Sequence, residues 1–330
     1  MMKRRDVLKI GHAYLAGALT WPALAQSKYP ERPIRLVIPF APGGVLDLVG
    51  RQWTHAIESL LGPVFVENQA GAGGTIGTAA VARADPDGHT LLLGSGAQML
   101  IAATSTARDF APISILVIAA MSIVVHPSVP ARNLKDLVDY AKANPGKLSY
   151  GSTGAGTMSH LTGELFKSLT GTNDIVHIPY RGAGPAITDL ISGQIPMVSP
   201  AITSQVLDLH HSGKLRILAV ATSERLVAAP DIPTAVEQGL PGMIAPNFVG
   251  LLAPARTPGA IVDQISYATR TAMADHTFRE KLIASGWEPY PESSPEAARR
   301  FIQGEVARWT PVIKMIGLKM GMRSANLERT

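Results

Sequence analysis

The sequence contains no cysteine, so neither disulfides nor thiolate metal sites can hold the fold or carry its chemistry. Aromatic residues make up only 5% of the chain, and none of them interleaves with a cluster of Lys and Arg. A nucleic-acid surface needs that combination, so no nucleic-acid partner is expected. Beyond residue 25 there is no run of about 18 apolar residues, and the mature chain is not expected to span a membrane. Enzyme signatures are missing too. Gly71-Ala72-Gly73-Gly74-Thr75-Ile76 lacks the third glycine of the dinucleotide fingerprint, and no loop ends in Gly-Lys-Ser/Thr. Neither Gly94-Ser95-Gly96 nor Gly151-Ser152 fits the strand-to-helix turn of a nucleophilic serine. His210-His211 has no carboxylate or cysteine at metal-ligand spacing. These absences point away from an enzyme, and no cofactor or metal is expected.

What is there starts with an address. Met1–Lys9 is a basic head, Ile10–Thr20 a short and weakly apolar stretch, and Ala23-Leu24-Ala25 supplies small residues for cleavage before Gln26. Arg4-Arg5-Asp6-Val7-Leu8-Lys9 is also similar to a twin-arginine export signal. Residues 1–25 therefore read as an export signal, and the mature chain as periplasmic. Part of the formal net charge of +5 belongs to this leader. The remaining chain, rich in hydrophobic residues and long for one domain, suits a two-lobed globular protein.

After Lys28 short β-like runs alternate with helical patterns. Ile34–Ile38 reads as a strand and Ala41-Pro42-Gly43-Gly44 as a tight turn; Leu46, Val49, Trp53, Ile57 and Leu60 then recur on one helix face. The rhythm repeats to the C-terminus: Asn133 is placed to cap a helix, and Thr257-Pro258 and Ser294-Pro295 each read as a capping residue before a first-turn proline. Such alternation predicts an α/β fold with largely parallel sheets flanked by helices. Two apolar segments flanked by turn residues, 123–128 and 247–252, read as crossings between two lobes. That division gives 26–125 and 248–330 to lobe 1 and 126–247 to lobe 2.

Three strand-to-helix junctions are rich in glycine: Pro42-Gly43-Gly44, Gly71-Ala72-Gly73-Gly74 and Gly151–Thr157. A helix start presents unpaired N–H groups and a partial positive charge, so it holds an anion without a basic side chain. Glycine lets the ligand reach the backbone, and in open α/β sheets such junctions lie where ligands bind. Tight turns alone also call for glycine. His160 follows the third junction, where it could face a ligand or serve the structure.

Pro39-Phe40-Ala41-Pro42-Gly43-Gly44, with Asp47 and Arg51 after it, resembles the first signature of the Bug-type (TctC-like) receptors, the extracytoplasmic solute receptors of tripartite tricarboxylate transporters. Val66-Glu67-Asn68, Pro86-Asp87-Gly88-His89, Ser159-His160-Leu161, His177-Ile178-Pro179-Tyr180-Arg181-Gly182 and Leu251-Leu252-Ala253-Pro254 continue the likeness in order, across essentially the whole mature chain. The resemblance implies a flytrap-like, periplasmic-binding-protein-like architecture that captures a small carboxylate between two lobes joined by crossover strands. By motif it carries the site onto Gly43, Gly44, Val45 and Asp47, then Gly73, Gly74 and Thr75, then Ser95, Ala97 and Gln98. On the opposing lobe it implies Ser152, Thr153, Gly156, Thr157 and His160, with Tyr180, Arg181, Gly182 and Ala183.

This chain departs from the family pattern in places. Val45 and Leu46 stand where small hydroxyl residues are common, Pro196 replaces an aspartate, Ser199-Pro200 an aromatic–acidic pair, and Phe248 a tryptophan. If Val45 and Leu46 face the cleft, the balance shifts from citrate or malate toward an acid with an apolar body. The helical period instead places Leu46 on the buried face. The expected partners are the carboxylate and the membrane subunits of such a transporter. The alternatives are a sensing receptor that signals to a membrane kinase and an exported α/β hydrolase.

Overall fold

The computed structural model describes residues 29–101 and 109–315; the export signal read at 1–25 lies outside the described residues. Two sheets, each flanked by helices, form two lobes. Lobe 1 holds a six-stranded sheet in the order β11-β4-β10-β3-β1-β2. These strands are β1 Ile34–Ile38, β2 Val64–Asn68, β3 Thr90–Ser95, β4 Phe110–Ala120, β10 Pro246–Pro254 and β11 Trp287–Pro289. Lobe 2 holds β5 Ser122–Val125, β6 Ser149–Ser152, β7 Val176–Pro179, β8 Met197–Val198 and β9 Arg216–Val220, in the order β7-β6-β8-β5-β9.

The sheets are mixed where the alternation suggested largely parallel ones. β1 runs parallel to β2 and β3, and β6 parallel to β7 and β8. β10 is antiparallel to β3 and β4, and β5 antiparallel to β8 and β9. The cause is topological: β10 and β5 are the strands by which the chain enters each lobe from the other, so each runs against its neighbours.

Side-chain alternation along β1 sorts its residues onto two cores, as a period of two requires. Ile34, Leu36 and Ile38 pack with the helix α1, Val45–Leu61, whereas Val37 packs with Val81, Phe248 and Ala298 on the other face. From α1 the same core takes Leu46, Val49, Trp53, Ile57 and Leu61, all buried; Leu60, expected on this face, is 43% exposed. Each buried side chain contributes about 1.5–3 kcal/mol relative to exposure. Trp53 also donates its indole N–H to Thr269 Oγ1 at 3.3 Å, which satisfies the one polar atom that its burial would orphan. This packing fixes α1 so that its first turn stands at the carboxyl end of β1.

The chain changes sheet at Met121, between β4 and β5. It returns through Ala221 and Ala245: Ala221 N–H donates to Met121 O at 2.7 Å and Ala245 N–H to Ala221 O at 2.8 Å. Residues 122–125 and 246–254 are themselves sheet strands, because a continuous apolar run is what a fully covered strand needs. A further strand segment joins the crossing, with Ile202 N–H bonded to Ala120 O at 2.8 Å and Ala201 bridged to Met121. The last described helix, α10 Pro295–Met315, belongs to both lobes: Ala298 is buried in a lobe 1 core, and Trp309 and Ile313 in the lobe 2 core.

Most helix starts away from the glycine-rich junctions are capped by a side chain. Asn133 accepts from Asp136 N–H at 2.8 Å ahead of α4 Leu134–Ala143, and Thr203 caps α7 Ser204–His211. Asp275 caps α9 His276–Ala284, and Ser294 caps α10. Thr257 does not cap. The helix α8, Gly259–Ala274, starts one residue later than the Thr-Pro pair suggests, with Pro258 at its N-cap. The Thr257 hydroxyl is left buried without a partner.

Candidate functional site

On lobe 1, the turn after β1 takes Gly43 at φ +88°, a region that L side chains avoid. Gly44 then sits at the N-cap of α1 with φ −84° and ψ 173°, and no side chain caps this helix. Ordinary extended backbone at Gly44 would admit any residue. A Cβ built at either glycine meets no atom within 4 Å. The glycine at 44 therefore leaves the start of α1 without a capping side chain, and the space that its side chain would fill is open.

Asp47 keeps this turn in shape. Its carboxylate is 4% exposed and accepts from Gly43 N–H, Arg51 Nε and Asn68 Nδ2, each at 3.0 Å, with Arg51 Nη2 also 3.0 Å away. Burial pushes the Asp47 carboxyl up, but Arg51, the Gly43 amide and Asn68 together outweigh it and hold the pKa below the ordinary 3.8. Asp47 thus acts through the loop. Val45 is half-buried against the lobe 1 core and Leu46 is 7% exposed within it; Leu46 is a packing residue.

The second junction is built from positive-φ residues. Gly71, Ala72, Gly73 and Gly74 lie at φ +144°, +46°, +63° and +94°, and Gly74 starts α2, Thr75–Ala82, again without a side-chain cap. Thr75 Oγ1 donates to Ala72 O at 2.8 Å. This loop reaches toward the other lobe: a Cβ at Gly73 would stand 3.2 Å from Ala155 O. Ser95 is buried at the end of β3, and α3, Gly96–Ile101, follows directly. Ala97 in that helix is fully buried in the lobe 2 core, so its methyl is spent on packing. Gln98 comes next in α3.

On lobe 2, the loop between β6 and α5, Met158–Thr170, is bonded to itself. Thr157 Oγ1 donates to Gly154 O at 2.7 Å and accepts from Thr153 Oγ1 at 3.0 Å. It also caps α5 by accepting from His160 N–H at 3.4 Å. Gly154 N–H donates to Ser152 Oγ at 3.1 Å, and Gly156 N–H to His160 Nδ1 at 3.1 Å. Next to this loop, α6, Ala183–Ile191, begins at Gly182 with no side-chain cap. Arg181 before it is exposed and makes no ion pair among the described residues. Tyr180 donates its hydroxyl to Asp189 at 2.8 Å; burial and this carboxylate push the phenol up to about 12, so it stays a donor.

Most of the expected residues fall into two sets. Gly44, Gly74 and Gly182 stand at helix starts that no side chain caps, with Gly43, Gly73 and Ala183 beside them. Asp47, Thr75, Ser152, Thr153, Thr157, His160 and Tyr180 hold the loops that carry them. Asn68 and His177 belong to the second set without being singled out from sequence. The signal for Asn68 is a polar residue closing β2 in register with Ile38, at the sheet end that carries the Gly43 turn.

The departures at 196–200 and 248 are absorbed by the framework. Ser199 is fully buried, donating to Ser122 O at 3.0 Å and accepting from Ser159 Oγ at 2.6 Å through its carbonyl. Pro200 O accepts from Ser122 N–H, and Pro196 O from His126 N–H. Phe248 is buried edge-on to Phe301 at 5.0 Å.

Residues 49–318 match the model of the tripartite tricarboxylate transporter family receptor. The chain belongs to this receptor family. Its members are extracytoplasmic solute-binding receptors and not enzymes, and the hydrolase alternative falls with that assignment. Among solved structures, the periplasmic binding protein BugD is 35% identical with a TM-score of 0.80, covering 88% of this chain and 99% of that one. MatC from Rhodopseudomonas palustris, solved with bound malate, is 32% identical at a TM-score of 0.80, covering 86% and 100%. A second R. palustris protein, solved with adipate, is 30% identical at 0.81, covering 88% and 98%.

Proposed function

We propose that this receptor captures a small dicarboxylate, in the size range from malate to adipate, in the cleft between its lobes. One carboxylate is held by the backbone N–H groups at the starts of α1 and α2, and the other end lies toward Gly182 and Arg181. The observation that carries this reading is Gly44: a glycine at a helix N-cap where the backbone does not need one, facing open space. A helix start left bare in this way favours an anion through its N–H groups and its dipole. The relatives solved with malate and adipate support the ligand class. The loaded receptor then delivers the ligand to the membrane subunits of a tripartite transporter.

With Leu46 in the core, the case for an apolar-bodied ligand rests on Val45 alone, so malate and adipate are both retained. Calorimetry at neutral pH against malate, adipate, citrate and benzoate tests the proposal. A dicarboxylate of the malate–adipate range should bind tightest; no binding by any of the four would overturn it. Gly44→Ser tests the site. Its hydroxyl would cap α1, leave stability unchanged or raise it by a few tenths of a kcal/mol, and compete with the ligand for the same amides. Affinity should fall at least about tenfold, since a hydrogen bond to a charged group is worth about 1.5–3 kcal/mol.

A further inference from the structure

Behind the lobe 2 loop lies a group of side chains that ligand contact does not account for. The His160 and His177 rings stack with centroids 4.1 Å apart and planes 20° from parallel, and Tyr150 stacks on His177 at 4.9 Å. His177 Nε2 is 2.7 Å from Ser152 Oγ. Both imidazoles therefore meet the loop: His177 through the serine that holds Gly154, and His160 through the Gly156 amide.

The His160 contact fixes its protonation state. Gly156 N–H donates to His160 Nδ1, so this nitrogen must carry its lone pair and the ring proton must sit on Nε2. A second proton could go only on Nδ1, where it would face the Gly156 N–H and break the bond. Among the described residues the surroundings offer an imidazolium no free counter-charge. On its own helix, Glu164 is the one carboxylate facing the pair, and it accepts from Lys167 Nζ at 2.9 Å and from Tyr150 Oη at 2.8 Å. From β6 the facing groups are Tyr150 and Ser152, and from β7 His177. Burial lowers His160 first, Glu164 pulls it up and Lys167 lowers it, leaving it below 6.5. Burial, with His160 next, brings His177 to about 4.

We propose that His160, stacked on His177, is the positioning residue of the lobe 2 loop, and that its Nδ1 lone pair makes ligand affinity depend on proton concentration. The dependence on affinity rests on the carboxylate-receptor reading above; the coupling of ring to loop does not. The loop matters because it faces the second glycine junction across the cleft, with Ala155 O opposite Gly73. Closure over the ligand, on this proposal, strengthens the bond between Gly156 and neutral His160, so that the loaded receptor excludes the proton more strongly than the free one. For one such group affinity is flat above the free-state pKa, hence above 6.5 at the latest. Below that pKa it falls by at most about tenfold per pH unit.

Two measurements test this. The first needs no ligand: NMR of the free protein should show neutral His160 protonated at Nε2, and the Gly156 amide losing its exchange protection as His160 titrates. An Nδ1-protonated neutral ring, or a Gly156 amide indifferent to that titration, would overturn the proposal. The second compares variants by calorimetry between pH 7.5 and 5.5 against adipate and malate. His160→Gln keeps an acceptor that does not titrate, so it should bind near wild type at pH 7.5 and show only the ligand's own pH dependence. His160→Leu should bind at least about fivefold weaker throughout. A wild-type pH profile in His160→Gln, or wild-type affinity in His160→Leu, would remove His160 from this role. If neither acid binds wild type, the ligand reading fails while the NMR result still decides the coupling.

Discussion

The two walls of the cleft solve the same problem in opposite ways. On lobe 1 the helices α1 and α2 start at Gly44 and Gly74 with no side-chain cap; on lobe 2 the loop before α5 is bonded through Ser152, Thr153, Thr157 and His160 to its own backbone. With glycine at the N-cap, such a helix start forgoes only a few tenths of a kcal/mol relative to a good cap. Lobe 1 leaves the starts of α1 and α2 without a capping side chain, while the lobe 2 loop before α5 uses its polar side chains to hold its shape. We read lobe 1 as the wall that grips charge and lobe 2 as the wall that supplies a fixed surface to close against.

The largest effect should follow from Gly73. A valine there would need a β-branched residue at φ +63° and would place its Cβ 3.2 Å from Ala155 O. The strained backbone costs on the order of 1–2 kcal/mol, which the fold can absorb, but the lobes could no longer meet. Gly73→Val should keep its circular dichroism, lose measurable binding, and show no ligand-induced decrease in radius of gyration by small-angle scattering. Wild-type affinity in a folded Gly73→Val protein would break the contrast between the walls.

Asp47 comes next and acts on stability as well as affinity. Asp47→Ala removes the acceptor of Gly43 N–H, Asn68 and Arg51 together. Because Arg51 is 54% exposed, the ion pair itself counts for little; the loss is that of the buried hydrogen bonds, about 1–3 kcal/mol by denaturant unfolding. The pH dependence has a definite sign. With its folded-state pKa depressed below 3.8, the Asp47 contribution is complete above 3.8 and is lost as pH falls through the folded value. The wild type and Asp47→Ala stability curves should therefore converge in acid and separate near neutrality.

What could be read from sequence follows the same contrast. The strand–helix alternation, the glycine turns and the Asn133 cap are local patterns, and the fold and lobe 1 loops were legible from them. Asp47 could be assigned to the first turn, but its partner Asn68 is brought in by strand pairing, which spacing along the chain does not encode. His177 likewise reaches Ser152 only because β7 lies beside β6. The Met121 crossing was hidden because β4, Met121 and β5 form one uninterrupted buried run from Ile113, Ile118 alone being half-buried. The mixed sheets were equally out of reach, since antiparallel entry strands leave no mark in a hydrophobic pattern.

Thr157 sharpens the lobe 2 side. Thr157→Val keeps the shape of the residue but removes the hydroxyl that caps α5 and bonds to Gly154 and Thr153. If lobe 2 supplies shape, stability should fall by about 1–2 kcal/mol. Affinity should then fall severalfold through the disordered loop, with the loss recovered in Thr157→Ser.

The smallest effect should belong to Arg181, the residue that carries formal charge in the lobe 2 loops 153–157 and 180–182. It is exposed and its guanidinium makes no ion pair among the described residues, so nothing in the fold depends on it and its removal should leave unfolding unchanged. Toward a dianion it would act across solvent, where an exposed charge pair is worth about 0.2–1 kcal/mol and salt screens it over about 10 Å at 0.1 M. Arg181→Ala should therefore weaken adipate or malate binding by no more than about fivefold in low salt, and by less as salt is raised. Arg181→Lys should restore most of the loss, since a long-range charge needs no bidentate geometry. The affinity that remains in Arg181→Ala should vary less over the same salt range, because backbone donors are fixed and carry no net charge. A large, salt-independent loss in Arg181→Ala would mean that lobe 2 grips charge as lobe 1 does, and the division between the two walls would have to be abandoned.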